Sequence, residues 1–418
     1  MKIEIRNGRL IDPKNGRDER ADLFIADGRV AGIGRTPAGF VADEAIEAAG
    51  CIVCPGFIDL GARLNSIEAE LAAAVAGGVT SVVVPPDADP PLDEPELAAR
   101  LVHRAADVGK ARVLPLGALT VGLKGERLAE LAGLAKAGCV AFSQANRPLV
   151  DTEALLRCFE YAATFGFAVW MQPQDHWLAR NGIAHAGEVA SRLGLAGIPV
   201  SAETVAMGTL LTLAADTGVR LHFTRISSAA GMRMLANAQA AGIRVTGDVG
   251  IHHLHLTEND IGYFNSQARF DPPLRSQADR QGLSDGVARG VAAICSDHTP
   301  VGADDKLLPF GEAKPGATGL ELLLPLTLKW AASAGVDLAT ALARISADPA
   351  RILGIDRGHL GEGAAADVCV FSPDAYWQVT AETLHSKGKN TPFMGYELNG
   401  RIQATVVDGR TKSNKRST

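Results

Sequence analysis

The chain has 418 residues, 47% of them hydrophobic and 21% charged, which is ordinary for a globular protein with room for two domains. Its net charge of −6 at pH 7 argues against a nucleic-acid-binding surface. No apolar run reaches the roughly 18 residues that a membrane-spanning helix needs, and residues 1–5 alternate like a strand rather than a signal peptide, so a cytoplasmic protein is expected.

Both ends of the chain are predicted to be β-structure. Apolar residues alternate with polar ones before the turn sequences at 12–16 and Asp27-Gly28, and again at 367–371 and 402–407 before Asp408-Gly409. We expect residues 1–54 and 355–418 to form one small β-sandwich. The basic segment 410–418 is expected to be a disordered end.

The middle of the chain predicts a different architecture. A short apolar strand at 55–60 is followed by alanine-rich amphipathic helices, such as 96–108 and 152–165, that alternate with further apolar strands at 80–84, 113–116, 139–142, 168–171, 220–223, 244–246 and 292–295. Roughly eight strands alternating with helices over about 300 residues predict an α/β fold, a (β/α)₈ TIM-like barrel, here at 55–354. Chemistry in such a barrel lies at the carboxyl ends of the strands.

Eight short motifs in a fixed order connect the chain to a known family, although each is weak alone. They are Ile11-Asp12-Pro13, Pro55-Gly56-Phe57-Ile58-Asp59, Ala76-Gly77-Gly78-Val79-Thr80-Ser81, Asp271-Pro272-Pro273-Leu274-Arg275, Ser296-Asp297-His298-Thr299-Pro300, Gly319-Leu320-Glu321, Ala366-Asp367 and Ser386-Lys387-Gly388-Lys389-Asn390-Thr391-Pro392-Phe393. With them the sequence resembles the amidohydrolase superfamily over nearly its whole length, and within it dihydroorotase.

The resemblance implies a zinc site whose ligands have been replaced. Dihydroorotase opens and closes a cyclic amide with zinc and an aspartate that shuttles the proton. The His-x-His ligands after the first strand correspond to Gly61 and Arg63, and those of the fourth, fifth and sixth strands to Gln144, Gln172 and Arg225. The general-base position is kept as Asp297. One carboxylate with glycine, amides and guanidinium groups cannot hold a catalytic zinc, so no zinc and no other cofactor are expected.

The positions that grip substrate in the family are also changed. They correspond here to Asn65, Asp87, Asp271 and Val301. Carboxylates at two of these positions are predicted to repel an anionic substrate.

Because a lone buried carboxylate would be costly, we expect Asp297 to pair with Arg225 or Arg63, with a guanidinium group within about 4 Å.

Two other groups of residues could suggest a metal site. His252, His253 and His255 form a histidine-rich segment, but adjacent residues of a strand face opposite sides, so a role in the scaffold is favoured. Cys51-x-x-Cys54 has no second pair at suitable spacing, and both thiols are expected to be small buried hydrophobes.

The resemblance therefore implies an inactive homologue of the pseudo-dihydroorotase type. Such proteins assemble with catalytic chains of aspartate carbamoyltransferase in pyrimidine biosynthesis, so a homo- or hetero-oligomer without nucleic-acid or membrane partners is expected. One alternative is an active dihydroorotase, or another cyclic amidohydrolase such as an allantoinase or hydantoinase, with an atypical metal site. The absence of lysine from residues 139–148 counts against it. Another is a sensor that binds a ligand in the barrel mouth.

Overall fold

A computed structural model describes residues 1–414 of the chain. Eight parallel strands form one sheet in which sequence neighbours pair in consecutive order: Phe57–Asp59, Val79–Val84, Arg112–Ala118, Ala141–Ser143, Ala168–Met171, Arg220–Phe223, Val245–Gly250 and Ala293–Cys295. The last strand returns to the first through a parallel bridge between Ala62 and His298. The Asp59 carboxylate reinforces this junction, since it accepts 2.6 Å hydrogen bonds from the Ser296 amide and hydroxyl. The predicted (β/α)₈ barrel is confirmed.

Helices cover the outside of the barrel. The α-helices are Ile67–Ala76, Pro95–Val108, Leu131–Lys136, Thr152–Thr164, His176–Ala179, Glu188–Leu193, Val200–Thr217, Ala229–Ala240, Gln277–Ala288, Ala303–Leu307, Leu323–Ala334, Leu338–Ala343 and Ala347–Leu353. Short 3₁₀ helices occupy Val121–Leu123, Ile251–Leu254, Glu258–Ile261, Ser266–Ala268 and Leu320–Leu322. No helix within residues 1–414 has the length and apolar character that crossing a membrane requires.

Local chemistry accounts for the ends of these helices. The Asp151 carboxylate accepts the free backbone N–H groups of Glu153 and Ala154 and so begins the helix Thr152–Thr164. Pro95 stands at the start of the helix Pro95–Val108, which is followed by Gly109 with a φ of 64°. Proline at the first turn and glycine in the left-handed conformation after the last turn are the expected boundary residues.

Two further sheets come from the ends of the chain. Lys2–Arg6, Leu23–Ala26, Arg29–Ile33 and Glu44–Glu47 form a four-stranded sheet, and Arg9–Asp12, Arg17–Arg20, Ile52–Pro55, Val368–Gln378, Glu397–Val407 and Arg410–Asn414 form a six-stranded one. A pair of two-residue strands, Ala184–His185 and Gly197–Ile198, lies outside them. Amino- and carboxyl-terminal strands thus share one sheet, as expected, while the exact domain bounds 1–54, 55–354 and 355–418 stay a prediction.

The expectation of a disordered basic tail is wrong for residues 410–414. Arg410–Asn414 is a strand that pairs antiparallel with Glu397–Val407, because the Asp408-Gly409 turn folds the chain back onto the sheet. Residues 415–418 lie outside the described part of the chain. The six cysteines are free thiols; Cys54 is buried as predicted, whereas Cys51 is only half-buried.

Apolar side chains fill three regions. The space between barrel and helices holds the largest cluster, which includes Val79, Val82 and Val84 from a strand that is buried at all six positions. The barrel interior contains Leu116, Trp170 and Cys295, closed at its amino end by Ile352 and Leu353. A separate cluster lies within the terminal sheets. The packed interior leaves the carboxyl-end mouth as the place where polar side chains can meet.

Candidate functional site at the barrel mouth

A cavity of about 300 Å³ opens where the barrel strands end. The residues that line it include the predicted positions Arg63, Asn65, Asp87, Arg225, Asp271, Asp297 and Val301, together with Asn146, Thr299 and Lys314. Most of the positions singled out from sequence therefore meet in one place.

Arg225 occupies the centre of this mouth. It follows the sixth strand, with a φ of 56°, and its backbone N–H donates to Asp248 Oδ1 at 2.8 Å. Its Nη1 donates to the Asp271 carbonyl at 3.0 Å and to Asp297 Oδ1 at 3.3 Å, and its Nη2 donates to Gln172 Oε1 at 2.8 Å. Although burial alone would lower the pKa of Arg225, Asp297 and Asp271 raise it above its ordinary value. The guanidinium is thus a fixed buried cation.

Asp297 follows the eighth strand and is 4% exposed. Burial raises the pKa of its carboxyl to about 6, and the charges of Arg225 and Arg63 offset that rise only in part. The hypothesis of a guanidinium within about 4 Å is confirmed for Arg225. The carboxylate that would act as proton shuttle is engaged in a buried ion pair.

Arg63 pairs with Asp87 and not with Asp297, the partner that the sequence offered for it. Its Nε and Nη2 donate to Asp87 Oδ2 at 3.0 and 2.8 Å, and its Nη1 donates to Thr299 Oγ1 at 3.2 Å. Both members of the ion pair expose 20% of their side chains. Asp87 therefore neutralises the guanidinium that stands where the resemblance implies a metal ligand.

Asn146 joins the two arginines and was missed by sequence reasoning. Its Oδ1 accepts from Arg63 Nη2 at 3.1 Å and from Arg225 Nη2, and its Nδ2 donates to Asp271 Oδ2 at 3.0 Å. It lies three residues beyond the fourth strand, and Ala145, with a φ of 51°, turns the chain there. Its position just past a strand end was the signal that could have identified it.

Asp271 is held by amides. Gln172 Nε2 donates to its Oδ1 at 3.2 Å, while Asn146 holds its other oxygen. Gln172 thus donates to Asp271 and accepts from Arg225, so an amide links an anion to a cation.

Four of the predicted positions lie at the edge of this network or outside it. Gln144 is buried, and among residues 1–414 its side chain exchanges hydrogen bonds only with Thr120, at 2.9 and 3.1 Å. A Cβ placed on Gly61 would meet no described heavy atom within 4 Å other than those of its two chain neighbours, so a side chain could be accommodated there. Asn65 Nδ2 donates to the Pro300 carbonyl at 2.6 Å, and the Val301 amide donates to Asn390 Oδ1 at 2.9 Å. The hydrogen bonds of Asn65 and Val301 hold the backbone at the rim of the cavity in place.

The donor set at the mouth does not fit a catalytic zinc ion. Zinc requires imidazole, thiolate or carboxylate donors, usually three from the protein. The lining offers two cations, amide groups, and carboxylates that are already bound to them. Among residues 1–414, no group of three or more His, Cys, Asp or Glu side chains has the arrangement to hold a metal ion.

The histidine segment is part of the scaffold. His253 Nε2 lies 3.1 Å from the Pro272 carbonyl, and His255 Nε2 lies 2.9 Å from the Leu326 carbonyl. The His252 ring lies between Phe270 and Phe393. Burial lowers the pKa of His252 to about 3 and the pKa values of His253 and His255 to about 4, so all three rings are neutral at pH 7.

A second buried network supports the floor of the mouth. His298 Nε2 lies 3.0 Å from Glu70 Oε2, and His298 Nδ1 accepts from the Gly319 amide at 3.0 Å. On the opposite side, His222 Nε2 lies 2.9 Å from Asp248 Oδ2, whose other oxygen holds the Arg225 amide. These contacts fix the backbone that presents Asp297 and Arg225.

Comparison with known proteins places the whole chain among related sequences. A family model described as dihydro-orotase-like matches residues 50–230. A dihydroorotase-like protein of Pseudomonas putida is 45% identical over 418 residues, which cover 98% of either chain. A dihydroorotase of Pelobacter propionicus is 39% identical over 425 residues, covering 98% of this chain and 99% of the relative. The solved structure of L-hydantoinase (dihydropyrimidinase) from Arthrobacter aurescens covers 100% of this chain and 97% of its own with a TM-score of 0.87; at 23% identity this likeness concerns the fold.

Proposed function

This chain belongs to the dihydroorotase-like family, and we propose that it is a non-catalytic member that supports aspartate carbamoyltransferase as a structural partner in pyrimidine biosynthesis. The observation that carries the proposal is the Arg225–Asp297 ion pair, at 3.3 Å, in the centre of the barrel mouth. In this pair Arg225 stands where the family has a metal ligand, and Asp297, at the general-base position, is bound to it.

The chemistry of cyclic-amide hydrolysis supports inactivity. Water must be activated, and the developing negative charge on the amide oxygen must be stabilised. Asp297 is paired with Arg225, and moving it away to take a proton from water would leave both charges without a partner in a buried site. Arg63 is likewise committed, with all three of its nitrogens donating to neighbouring side chains.

An active cyclic amidohydrolase is the second candidate. It is favoured by relatives named dihydroorotase that share 39% and 38% identity with this chain over nearly its full length. In that case Asp297 would have to leave Arg225 during turnover and act as the proton shuttle.

Enzyme assays separate the two candidates. Purified protein should show neither hydrolysis of dihydroorotate nor ring closure of carbamoyl aspartate, and elemental analysis should find no stoichiometric zinc. The matched control is D297N, which removes the only carboxylate in the general-base role. Turnover by the wild type that D297N abolishes would overturn the non-catalytic proposal.

The partnership rests on the resemblance to pseudo-dihydroorotases and needs its own experiment. Co-expression with the catalytic chain of aspartate carbamoyltransferase from the same organism should yield a co-purifying complex, larger than either protein alone by sedimentation. The transferase should be more active or more heat-stable within it. Unchanged size and activity would refute the partnership while leaving the inactivity proposal standing.

A further inference from the structure

A second cavity, of about 510 Å³, opens at the amino end of the barrel, opposite the mouth. Its walls come from the starts of the fifth, sixth and seventh strands and from the helix Ala347–Leu353 that closes this end. Barrel chemistry lies at the carboxyl end, so this cavity is separate from the family's catalytic face.

Three arginines surround the opening. Arg220 and Arg244 stand at the amino ends of the sixth and seventh strands, and Arg351 on the closing helix. Of the described residues that line the cavity, none is acidic. Arg351 lies 3.4 Å from Asp348, whereas Arg220 and Arg244 form no ion pair within residues 1–414.

Backbone carbonyls orient the two unpaired arginines. Arg220 Nη2 donates to the Gly166 carbonyl at 2.8 Å, and Arg244 Nη2 donates to the Gly218 carbonyl. Each guanidinium carries five N–H groups, so most of its donors stay available beyond that tether. Like charges gathered around one opening repel one another, and a bound anion would relieve that repulsion.

The walls of the cavity between the arginines combine apolar side chains with the polar Gln239 and Thr246. Ile243 and Ile352 are partly exposed in its walls, and behind them lie the buried rings of Trp170 and His222, whose centroids are 4.2 Å apart. A volume of 510 Å³ falls in the range of pockets that bind small organic ligands. Guanidinium groups match phosphate oxygens in charge and in bidentate geometry.

We propose that this amino-end cavity binds an organic polyphosphate of nucleotide size, with its phosphates on Arg220, Arg244 and Arg351 and its apolar part toward Ile243 and Ile352. The assignment is independent of whether the barrel mouth is catalytic. A concave pocket on a chain with a net charge of −6 favours a small molecule over a nucleic acid.

Calorimetric titration of the full chain with ATP and with inorganic tripolyphosphate tests the site. The double variant R220Q/R244Q should bind both probes about tenfold more weakly for each arginine removed, because each removes a charge-assisted contact. The matched control is R233Q, which removes an exposed arginine of the helix Ala229–Ala240 that does not line the cavity. The single variant R244Q is a second test in case the double variant does not fold. Its unfolding temperature should equal that of the wild type, which would show that weaker binding is not caused by a folding defect.

Weaker binding in R220Q/R244Q and R244Q, with R233Q like the wild type, would support the site. Equal affinities in all variants, or no binding by the wild type at millimolar probe, would overturn it. ATP that binds no more tightly than tripolyphosphate would refute the organic part of the assignment. A single-stranded RNA that binds as tightly as ATP would refute the small-molecule assignment.

Discussion

Replacing Arg225 with methionine tests whether this side chain holds the barrel mouth together. The Arg225→Met change keeps the length of the aliphatic stem and removes a cation that is 9% exposed and lies 3.3 Å from the 5% exposed carboxylate of Asp297. It also removes the charged donor from three other acceptors, on Gln172, Asn146 and the Asp271 backbone. At roughly 1 kcal/mol or more for each of these three hydrogen bonds, the free energy of unfolding should fall by about 3 kcal/mol before the charge of Asp297 is considered.

The charge of Asp297 adds a term that depends on pH. Because burial raises the pKa of this carboxyl to about 6, the folded state holds its proton more tightly than the unfolded state. The wild type therefore loses stability from this group as the pH rises from about 4 to about 6, and loses no more above that. Without Arg225 the pKa of Asp297 rises further, so in the variant the loss continues above pH 6.

Urea unfolding of wild type and R225M at pH 5, 6, 7 and 8 measures this difference. The gap in unfolding free energy should be about 3 kcal/mol at pH 5 and widen by roughly 1 kcal/mol for each pH unit above 6. The same pair of proteins in a D297N background should show a gap that does not vary with pH. A gap that is equal at pH 5 and pH 8, or one that still widens in the D297N background, would refute the assignment of the pair.

Two further sets of variants examine the donor count at the mouth and the packing beneath it. The triple variant G61H/R63H/R225M should retain zinc after dialysis while the wild type does not, because two imidazoles would join a freed Asp297 and no described atom crowds the Cβ added at Gly61; elemental analysis that finds equal zinc in both proteins would contradict this. The Gly319→Ala change should lower the free energy of unfolding by about 1–3 kcal/mol, since its Cβ would lie 2.2 Å from a backbone carbonyl oxygen. The control G61A should stay within about 0.5 kcal/mol of the wild type in the same thermal unfolding experiment.

The sequence was sufficient for the barrel because its strands and helices differ strongly in composition. The fifth and sixth strands occupy the predicted residues, 168–171 and 220–223, and every residue of the two except Arg220 is buried. The prediction was wrong for the carboxyl-terminal strand Arg410–Asn414 because two signals conflict there. Its basic composition indicates a disordered end, whereas the Asp408-Gly409 turn before it indicates a strand. A turn of that type predicts a returning strand.

The sequence predicts which residues lie at the barrel mouth, because the ends of the strands fix their positions. It does not predict which of their side chains form ion pairs and hydrogen bonds with one another. Arg225 and Asp297 follow the sixth and eighth strands, so their convergence could be expected. Which acid pairs with Arg63 depends on three-dimensional distances, and Asp87 lies closer than Asp297. The family motif does not indicate Asn146, because the residue that matches the family's ligand is Gln144.

The hydrogen bonds of Asp87 and Asp271 give a different reason to expect that an anionic substrate does not bind at the barrel mouth. From sequence, Asp87 and Asp271 appeared as unpaired charges that would repel it. In the structure Asp87 is bound to Arg63, and Asp271 accepts hydrogen bonds from Asn146 and Gln172. A substrate carboxylate would have to displace Asp87 from Arg63, exchanging one carboxylate for another with no gain in bonds. The resident carboxylate is tethered to the chain, whereas the substrate would lose translational and rotational freedom on binding. We therefore expect a tethered competitor, rather than net repulsion, to keep an anionic substrate from Arg63, and this competition does not require an unscreened net charge at the mouth.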